Sequence, residues 1–114
     1  MVRAALVSVL TFCASVAQAA DRLPASMLGK WALEPAACKE QSSELGMTVE
    51  PRAVLFYEHG NTITRLVRLK DGSWKGFGYS VDDQGRARDS ITLKLVGDKL
   101  EVRGRMYHRC KDGA

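Results

Sequence analysis

Hydrophobic and polar residues alternate along most of the chain after residue 28, with frequent interruptions by Gly, Pro, Asn and Asp. Period-two alternation is typical of strands that bury one face. Ile91, Leu93 and Leu95 share one face, for example, and Thr92 and Lys94 share the other. The pattern predicts seven short strands, at residues 31–33, 47–50, 53–57, 62–69, 74–81, 90–96 and 100–110. No window carries a convincing helical stripe, and no repeat is visible.

Turn residues stand between these predicted strands at hairpin spacing. Pro35 stops the first strand because proline cannot donate to a ladder. The Asp71-Gly72 and Gly97-Asp98 pairs predict tight two-residue turns. Short strands joined in this way predict an all-β antiparallel meander.

The first 20 residues have the layout of a signal peptide. Arg3 precedes an apolar stretch over residues 4–17, and small residues then predict cleavage after Ala19 or Ala20. The stretch is shorter than the roughly 20 apolar residues of a membrane span. We therefore expect a periplasmic or secreted protein with no span in the mature chain. An uncleaved anchor, or a lipoprotein formed at Cys13, are the alternatives.

Removal of the leader leaves two cysteines, Cys38 and Cys110, about 94 residues in all and a net charge of +3 instead of +4. An even number of cysteines in an oxidising compartment predicts a disulfide. This bond fastens the first predicted strand to the last, which is most natural if they are neighbours. The expected architecture is a small up-and-down β-barrel at residues 29–111, preceded by a signal peptide (1–20) and a linker (21–28).

Gly29-Lys30-Trp31 resembles the Gly-x-Trp opening of lipocalins and other calycins. In that superfamily a basic residue of the final strand packs across the tryptophan at the closed end of the barrel. The resemblance implies that Arg109 or Arg105 packs on Trp31, a structural role.

The whole mature layout is also similar to small, uncharacterised exported bacterial proteins. The shared features are a leading Trp31, the Pro-Ala-x-Cys segment at residues 35–38, the Phe-Tyr-Glu strand end at 56–58 and the final Arg109-Cys110. This resemblance implies a compartment and a fold but no activity.

Residues 75–79, Lys-Gly-Phe-Gly-Tyr, resemble the RNP1 motif of RNA-recognition and cold-shock domains. There the glycines let a strand approach nucleic acid while exposed aromatic rings stack on bases. Trp74, Phe77 and Tyr79 are the candidate stacking residues. The alternative is a strand whose glycines make room for bulky neighbours inside a small barrel.

Four arginines near the C-terminus, Arg86, Arg88, Arg103 and Arg105, are expected to form a basic patch across the last two strands. Such a patch suits lipid phosphates, anionic glycans or an acidic partner, and its alternative is an ordinary solvated surface.

Candidate catalytic and metal sites are weak. His59 follows Glu58 in a predicted turn, and His108 with Cys110 and Cys38 offers three of the four ligands of a structural zinc site. Asp82 and Asp83 are adjacent and belong to a turn. No nucleophile-elbow, zincin, Walker or dinucleotide motif is present. We expect no enzyme activity, no cofactor and no bound metal.

Three functions follow as hypotheses. The first is a non-enzymatic exported barrel that binds an envelope component or supports the envelope. The second is an inhibitor of a secreted hydrolase such as lysozyme, on fold-level likeness to small disulfide-containing inhibitors, although the basic charge opposes a cationic target. The third is single-stranded nucleic-acid binding through residues 75–79, which export away from cellular RNA disfavours.

Overall fold

A computed structural model of the chain describes residues 18–39 and 44–111. Within these ranges the chain forms nine β-strands, two short 3₁₀ helices (Ala25–Met27 and Pro35–Lys39) and no α-helix. The strands are β1 (Gln18–Ala20), β2 (Gly29–Ala32), β3 (Gly46–Glu50), β4 (Ala53–Phe56), β5 (His59–Arg68), β6 (Trp74–Asp82), β7 (Gly85–Val96), β8 (Lys99–Val102) and β9 (Arg105–Arg109). The predicted leader lies outside the described residues except for residues 18–20, which form β1.

Strands β2 to β9 close into an antiparallel barrel. Each strand pairs with the next along the chain, and β9 pairs with β2 to complete the ring. The short β1 adds to β5, with Ala19 opposite Val67. The predicted all-β up-and-down barrel is therefore confirmed, with eight strands in the ring instead of seven.

The extra strand arises where residues 100–110 were expected to be continuous. A turn at Arg103 and Gly104 divides them into β8 and β9, and both residues have positive φ (55° and 79°). Two positive φ values are what a type I′ hairpin turn requires. The sequence pattern placed Val102 and Met106 on one face, with Gly104 between them. In the structure Met106 is 40% exposed and Tyr107 is buried, because the two-residue turn changes the phase of the alternation.

The turn between β5 and β6 also differs from its prediction. It is a loop of residues 69–73, in which the Asp71 carboxylate accepts hydrogen bonds from the Ser73 backbone N–H (2.9 Å) and hydroxyl (2.6 Å). The expected tight Asp71-Gly72 turn is wrong because this side chain organises a longer loop. The Gly97-Asp98 turn between β7 and β8 is confirmed.

Buried side chains fill the barrel. The core comprises Leu23, Met27, Trp31, Met47, Val49, Val54, Ile63, Leu66, Ile91, Leu93, Leu100, Val102 and Tyr107. Leu23 and Met27 come from the segment expected to be a linker, and the Leu23 N–H also donates to the Pro51 carbonyl (2.9 Å). Residues 21–28 are thus part of the folded domain. In the described part of the chain, side chains therefore fill the interior of the barrel.

The predicted Cys38–Cys110 disulfide is confirmed, with the two Cα atoms 5.5 Å apart. Cys38 lies in the 3₁₀ helix after β2, and both sulfurs pack with Ala32 and Ala37 in a small cluster separate from the main core. The disulfide thereby fastens the seam between β2 and β9. That seam has only two residue pairs, against eight between β5 and β6.

Candidate functional site

The four candidate arginines lie in two places. Arg86 and Arg88 are on β7, where they pair with residues of β6. Arg103 and Arg105 are at the turn into β9 and line a cleft at one mouth of the barrel. The expected single patch across the last two strands does not form. The turn at Arg103 directs β9 away from β7 and alongside β2.

The aromatic candidates on β6 are also divided. A Cβ at Gly76 would lie 2.8 Å from the buried Ile63 side chain, so this position faces the core. Alternation along a strand then directs Phe77 and Tyr79 outward. Trp74 faces inward and packs against the core. Only two of the three rings therefore share an outer surface.

Cations lie over both outward rings. The Arg65 Cζ is 4.3 Å from the centroid of Phe77, the Lys75 Nζ is 5.2 Å from the same centroid, and the Arg86 Cζ is 4.2 Å from that of Tyr79. Distances within about 6 Å are typical of cation–π interactions. We define the outer face as Arg65, Lys75, Phe77, Tyr79, Arg86 and Arg88.

The outer face carries four cations that have no carboxylate partner within 4.0 Å in the described part of the chain. The ion pairs within 4.0 Å among the described residues are Lys94–Asp71, Lys99–Asp98 and Arg103–Asp89, none of which includes an outer-face residue. Asp89 follows Arg88, but alternation places its side chain on the opposite surface of β7. Among the described residues the face is therefore a positive surface without ion pairs, and the guanidinium groups of Arg65 and Arg86 lie over aromatic rings.

The glycines of the RNP1-like stretch have a packing role. Gly76 makes room for Ile63, as described above. A Cβ at Gly78 would fall well inside 3.0 Å of the Thr62 carbonyl oxygen, beside the bulge in β5 between Ile63 and Arg65. Both glycines are needed because neighbouring groups occupy the space of a side chain. Their presence gives no separate support for nucleic-acid binding.

Substitution of Gly78 by alanine is expected to lower the free energy of unfolding by about 3 kcal/mol, because backbone must move to admit the methyl group. Gly76→Ala meets only the Ile63 side chain. It is therefore expected to cost about 1 kcal/mol. Urea unfolding followed by circular dichroism measures both. Equal losses in the two variants would contradict a backbone clash at Gly78.

The mouth cleft is the second candidate site. Two hairpins contribute its walls, β4–β5 and β8–β9, and its volume is about 500 Å³. We define the mouth cleft by its lining residues Glu44, Phe56, Tyr57, Glu58, His59, Arg103, Arg105 and Tyr107. The rings of Phe56 and His59 are stacked, with centroids 4.8 Å apart. The His59 Nδ1–H donates to the Tyr57 carbonyl oxygen (3.1 Å), so the other ring nitrogen, Nε2, takes no part in this hydrogen bond.

A polar network beneath the cleft holds Arg103. The buried Asn61 donates to the Asp89 carboxylate (3.0 Å), and Arg103 donates to both Asn61 and Asp89 (3.1 Å each). The hydrogen bond from Asn61 holds the pKa of Asp89 below its usual value, and Arg103 acts in the same direction. Burial raises the pKa of Tyr107, although Arg105 and Arg103 oppose the shift. At neutral pH the cleft thus contains two guanidinium groups and a protonated phenol.

Trp31 and Arg109 lie together at the opposite end of the barrel. The Arg109 Cζ is 4.2 Å from the centre of the Trp31 ring, and its guanidinium donates to the Leu28 carbonyl (3.0 Å) and to that of Ser26. The Trp31 indole N–H donates to the Met27 carbonyl (3.0 Å). It is Arg109, and not Arg105, that packs on this tryptophan. The pair closes the end of the barrel and is structural.

The remaining chemical candidates do not converge. Cys38 and Cys110 are joined in the disulfide, which removes two of the three zinc ligands considered with His108. The Asp82 carboxylate accepts from the Gln84 N–H (2.8 Å) within a turn. Among the described residues no group of three or more His, Cys, Asp or Glu side chains is arranged to hold a metal ion.

Comparison of the chain with protein-family models, with curated proteins and with solved structures finds no match. Across residues 18–39 and 44–111, no helix has the length and apolar character needed to cross a membrane.

Sequence reasoning missed the residues that accompany Arg103 and Arg105 at the mouth. Asn61 and Asp89 are 42 and 14 positions from Arg103, and only barrel closure brings them together. One local signal was present, since Gly104 interrupts the alternation where a hairpin turn occurs.

Proposed function

We propose that this protein is an exported, non-enzymatic β-barrel that binds anionic groups of the bacterial envelope through its outer face. The observation that carries this proposal is the set of four cations with no carboxylate partner among the described residues. Phosphate and carboxylate oxygens are the preferred partners of guanidinium groups. Of the anions available to an envelope protein, the phosphates of lipid headgroups suit a flat, basic sheet surface that also carries aromatic rings.

Binding is proposed instead of catalysis because of the chemistry of the face. Its arginines remain protonated at neutral pH and cannot serve as general bases. Arg65 and Arg86 are also positioned by the rings of Phe77 and Tyr79, which reduces the entropy lost when an anion is bound. The disulfide supports an oxidising compartment, in agreement with the export signal expected from the sequence.

Removal of three outer-face charges is expected to weaken binding to anionic vesicles about 100-fold. The variant is Arg65→Gln with Arg86→Gln and Arg88→Gln, and each basic residue near an anionic surface contributes about 1 kcal/mol. Co-sedimentation with vesicles that contain phosphatidylglycerol measures the effect, and phosphatidylcholine vesicles are expected not to bind.

A control variant with the same net charge separates the face from overall charge. It replaces Arg22, Lys39 and Lys111 by glutamine. These residues are exposed, and the two lysines adjoin Cys38 and Cys110 at the β2–β9 seam, across the ring from β6. This variant is expected to bind nearly as well as the wild type. Equal weakening of both variants would contradict a specific face. Turnover of a hydrolase substrate that depends on His59 or His108 would contradict a non-enzymatic role.

Single-stranded nucleic acid is the second candidate, favoured by the outward rings of Phe77 and Tyr79. Each ring already has a cation over it, so a base would stack only on the surface that remains. In this case Phe77→Ala weakens binding to oligothymidylate by about 1–3 kcal/mol. We expect no binding of oligothymidylate that depends on Phe77, and its detection would favour this candidate over the lipid surface. The inhibitor hypothesis stays a prediction, tested by inhibition assays against several lysozymes.

A further inference from the structure

The mouth cleft is built from two turns in which non-glycine residues have left-handed backbone. Glu58 has φ 66° and Arg103 has φ 55°, and these are the only such residues in the described part of the chain. Glycine or asparagine adopts this conformation at lower cost. Strained residues concentrate at functional sites, where a particular side chain is needed at a strained position. Both of these residues line one cleft.

Hydrogen-bond donors line the cleft, namely Arg103, Arg105 and Tyr107. Arg103 is oriented by Asn61 and Asp89, as described above, so its guanidinium has a defined direction. Among the described residues no carboxylate lies within 4.0 Å of the Arg105 guanidinium. Tyr107 is buried and its phenol remains protonated at neutral pH. Two cationic forks and a hydroxyl form a set of donors that suits one oxyanion.

The other walls of the cleft are aromatic. Phe56 and His59 form a stacked pair, and Tyr57 is 37% exposed beside them. The volume of about 500 Å³ is far larger than an inorganic anion needs and falls in the range of small-molecule sites. Glu44 and Glu58 also line the cleft, and their carboxylates oppose a ligand with several negative charges. The composition therefore favours one anionic group attached to an apolar or aromatic body.

We propose that the mouth cleft binds a small organic anion, in which a carboxylate or phosphate monoester contacts Arg103, Arg105 and Tyr107 and a flat apolar body packs on Phe56, Tyr57 and His59. This site is separate from the outer face. The mouth cleft is proposed to bind a free small molecule, whereas the outer face is proposed to bind the headgroups of a lipid surface.

The experiment titrates the protein with phenyl phosphate, phenylacetate, benzyl alcohol and inorganic phosphate, and follows backbone amide signals by NMR. Phenyl phosphate and phenylacetate are expected to produce saturable shifts at residues 56–59 and 103–107. Benzyl alcohol lacks the charge and inorganic phosphate lacks the ring, so both are expected to bind more weakly. If no probe gives saturable shifts at these residues, the proposal is wrong. If inorganic phosphate binds as tightly as phenyl phosphate, the proposed packing of an apolar body on Phe56, Tyr57 and His59 is wrong.

Arg105→Gln is expected to weaken phenyl phosphate binding at least about tenfold, because a charge-assisted hydrogen bond is lost. Arg105→Lys keeps the charge without the planar fork and is expected to give a smaller loss. The matched control is Arg22→Gln, an exposed arginine outside the cleft. A loss in the control equal to that in Arg105→Gln would show general charge attraction and overturn the site. Vesicles of phosphatidylglycerol are expected not to displace phenyl phosphate, and displacement would assign the cleft to lipid headgroups instead of free molecules.

The tests of the mouth cleft and of the outer face can fail independently of each other. Arg105→Gln belongs to the cleft and the triple outer-face variant does not. Loss of vesicle binding in the triple variant with cleft binding retained would support both proposals independently.

Discussion

Replacement of Trp31 by alanine is expected to lower the free energy of unfolding by about 3–5 kcal/mol, the largest loss from a single substitution in this protein. The Trp31 side chain is 1% exposed, so its removal leaves a large cavity at the closed end of the barrel. The Met27 carbonyl also loses its indole donor, and the Arg109 guanidinium loses the ring beneath it. A loss of this size is a large part of the stability of a small domain.

Urea unfolding with circular dichroism measures this effect, and two variants separate its causes. Trp74→Ala removes a tryptophan that is only half-buried, so its loss should be clearly smaller. Trp31→Phe keeps an aromatic ring beneath Arg109 but removes the indole N–H, and we expect an intermediate loss. If Trp74→Ala proves as costly as Trp31→Ala, the closed end of the barrel is not organised by Trp31.

Removal of the disulfide is expected to destabilise the protein by up to about 4 kcal/mol. Cys38 and Cys110 enclose 73 residues, counting both ends, and the chain-entropy model assigns this value to a loop of that length. The structure adds a local reason. The β2–β9 seam has two residue pairs, supported by a hydrogen bond from the Cys110 N–H to the Lys30 carbonyl (2.9 Å). Without the disulfide, this short ladder and the contacts of Arg109 with Trp31 and Leu28 are left to hold the two strands together.

The double variant Cys38→Ser with Cys110→Ser should therefore open at one seam first. Amide hydrogen exchange is expected to accelerate most in β2 and β9, whereas the long β5–β6 and β6–β7 ladders keep most of their protection. Reductant should reproduce the effect in the wild type and change nothing further in the variant. Uniform acceleration throughout the barrel would show that the disulfide stabilises the whole fold without a local role at the seam.

Local patterns accounted for most of the strands. Ile91, Leu93 and Leu95 alternate with polar residues because one face of β7 is buried, and this relation is visible in the sequence alone. The turn at Arg103 escaped prediction for a physical reason. An arginine in left-handed conformation is uncommon, and Met106 continued the apparent alternation of Leu100 and Val102, although Tyr107 is the buried residue of β9.

The sequence alone did not predict which residues of the candidate sites lie together. Phe77 and Trp74 are three residues apart, so alternation places them on opposite faces, but only the contact between Gly76 and Ile63 shows which face is inward. The four arginines were expected to form one patch across the last two predicted strands. Strand pairing instead places Arg86 beside Tyr79 and Arg103 beside Asn61.

The sequence by itself determined an all-β meander and a pair of cysteines at its two ends, because strand periodicity, turn residues and cysteine number are local properties. The tertiary structure alone decided that β2 meets β9 across a two-pair seam, that residues 21–28 contribute to the core, and that the basic residues lie in two separate places. These features depend on register and closure between segments far apart in the chain. A side chain's partners across a closed sheet follow from the path of the whole backbone, which no short stretch of sequence contains.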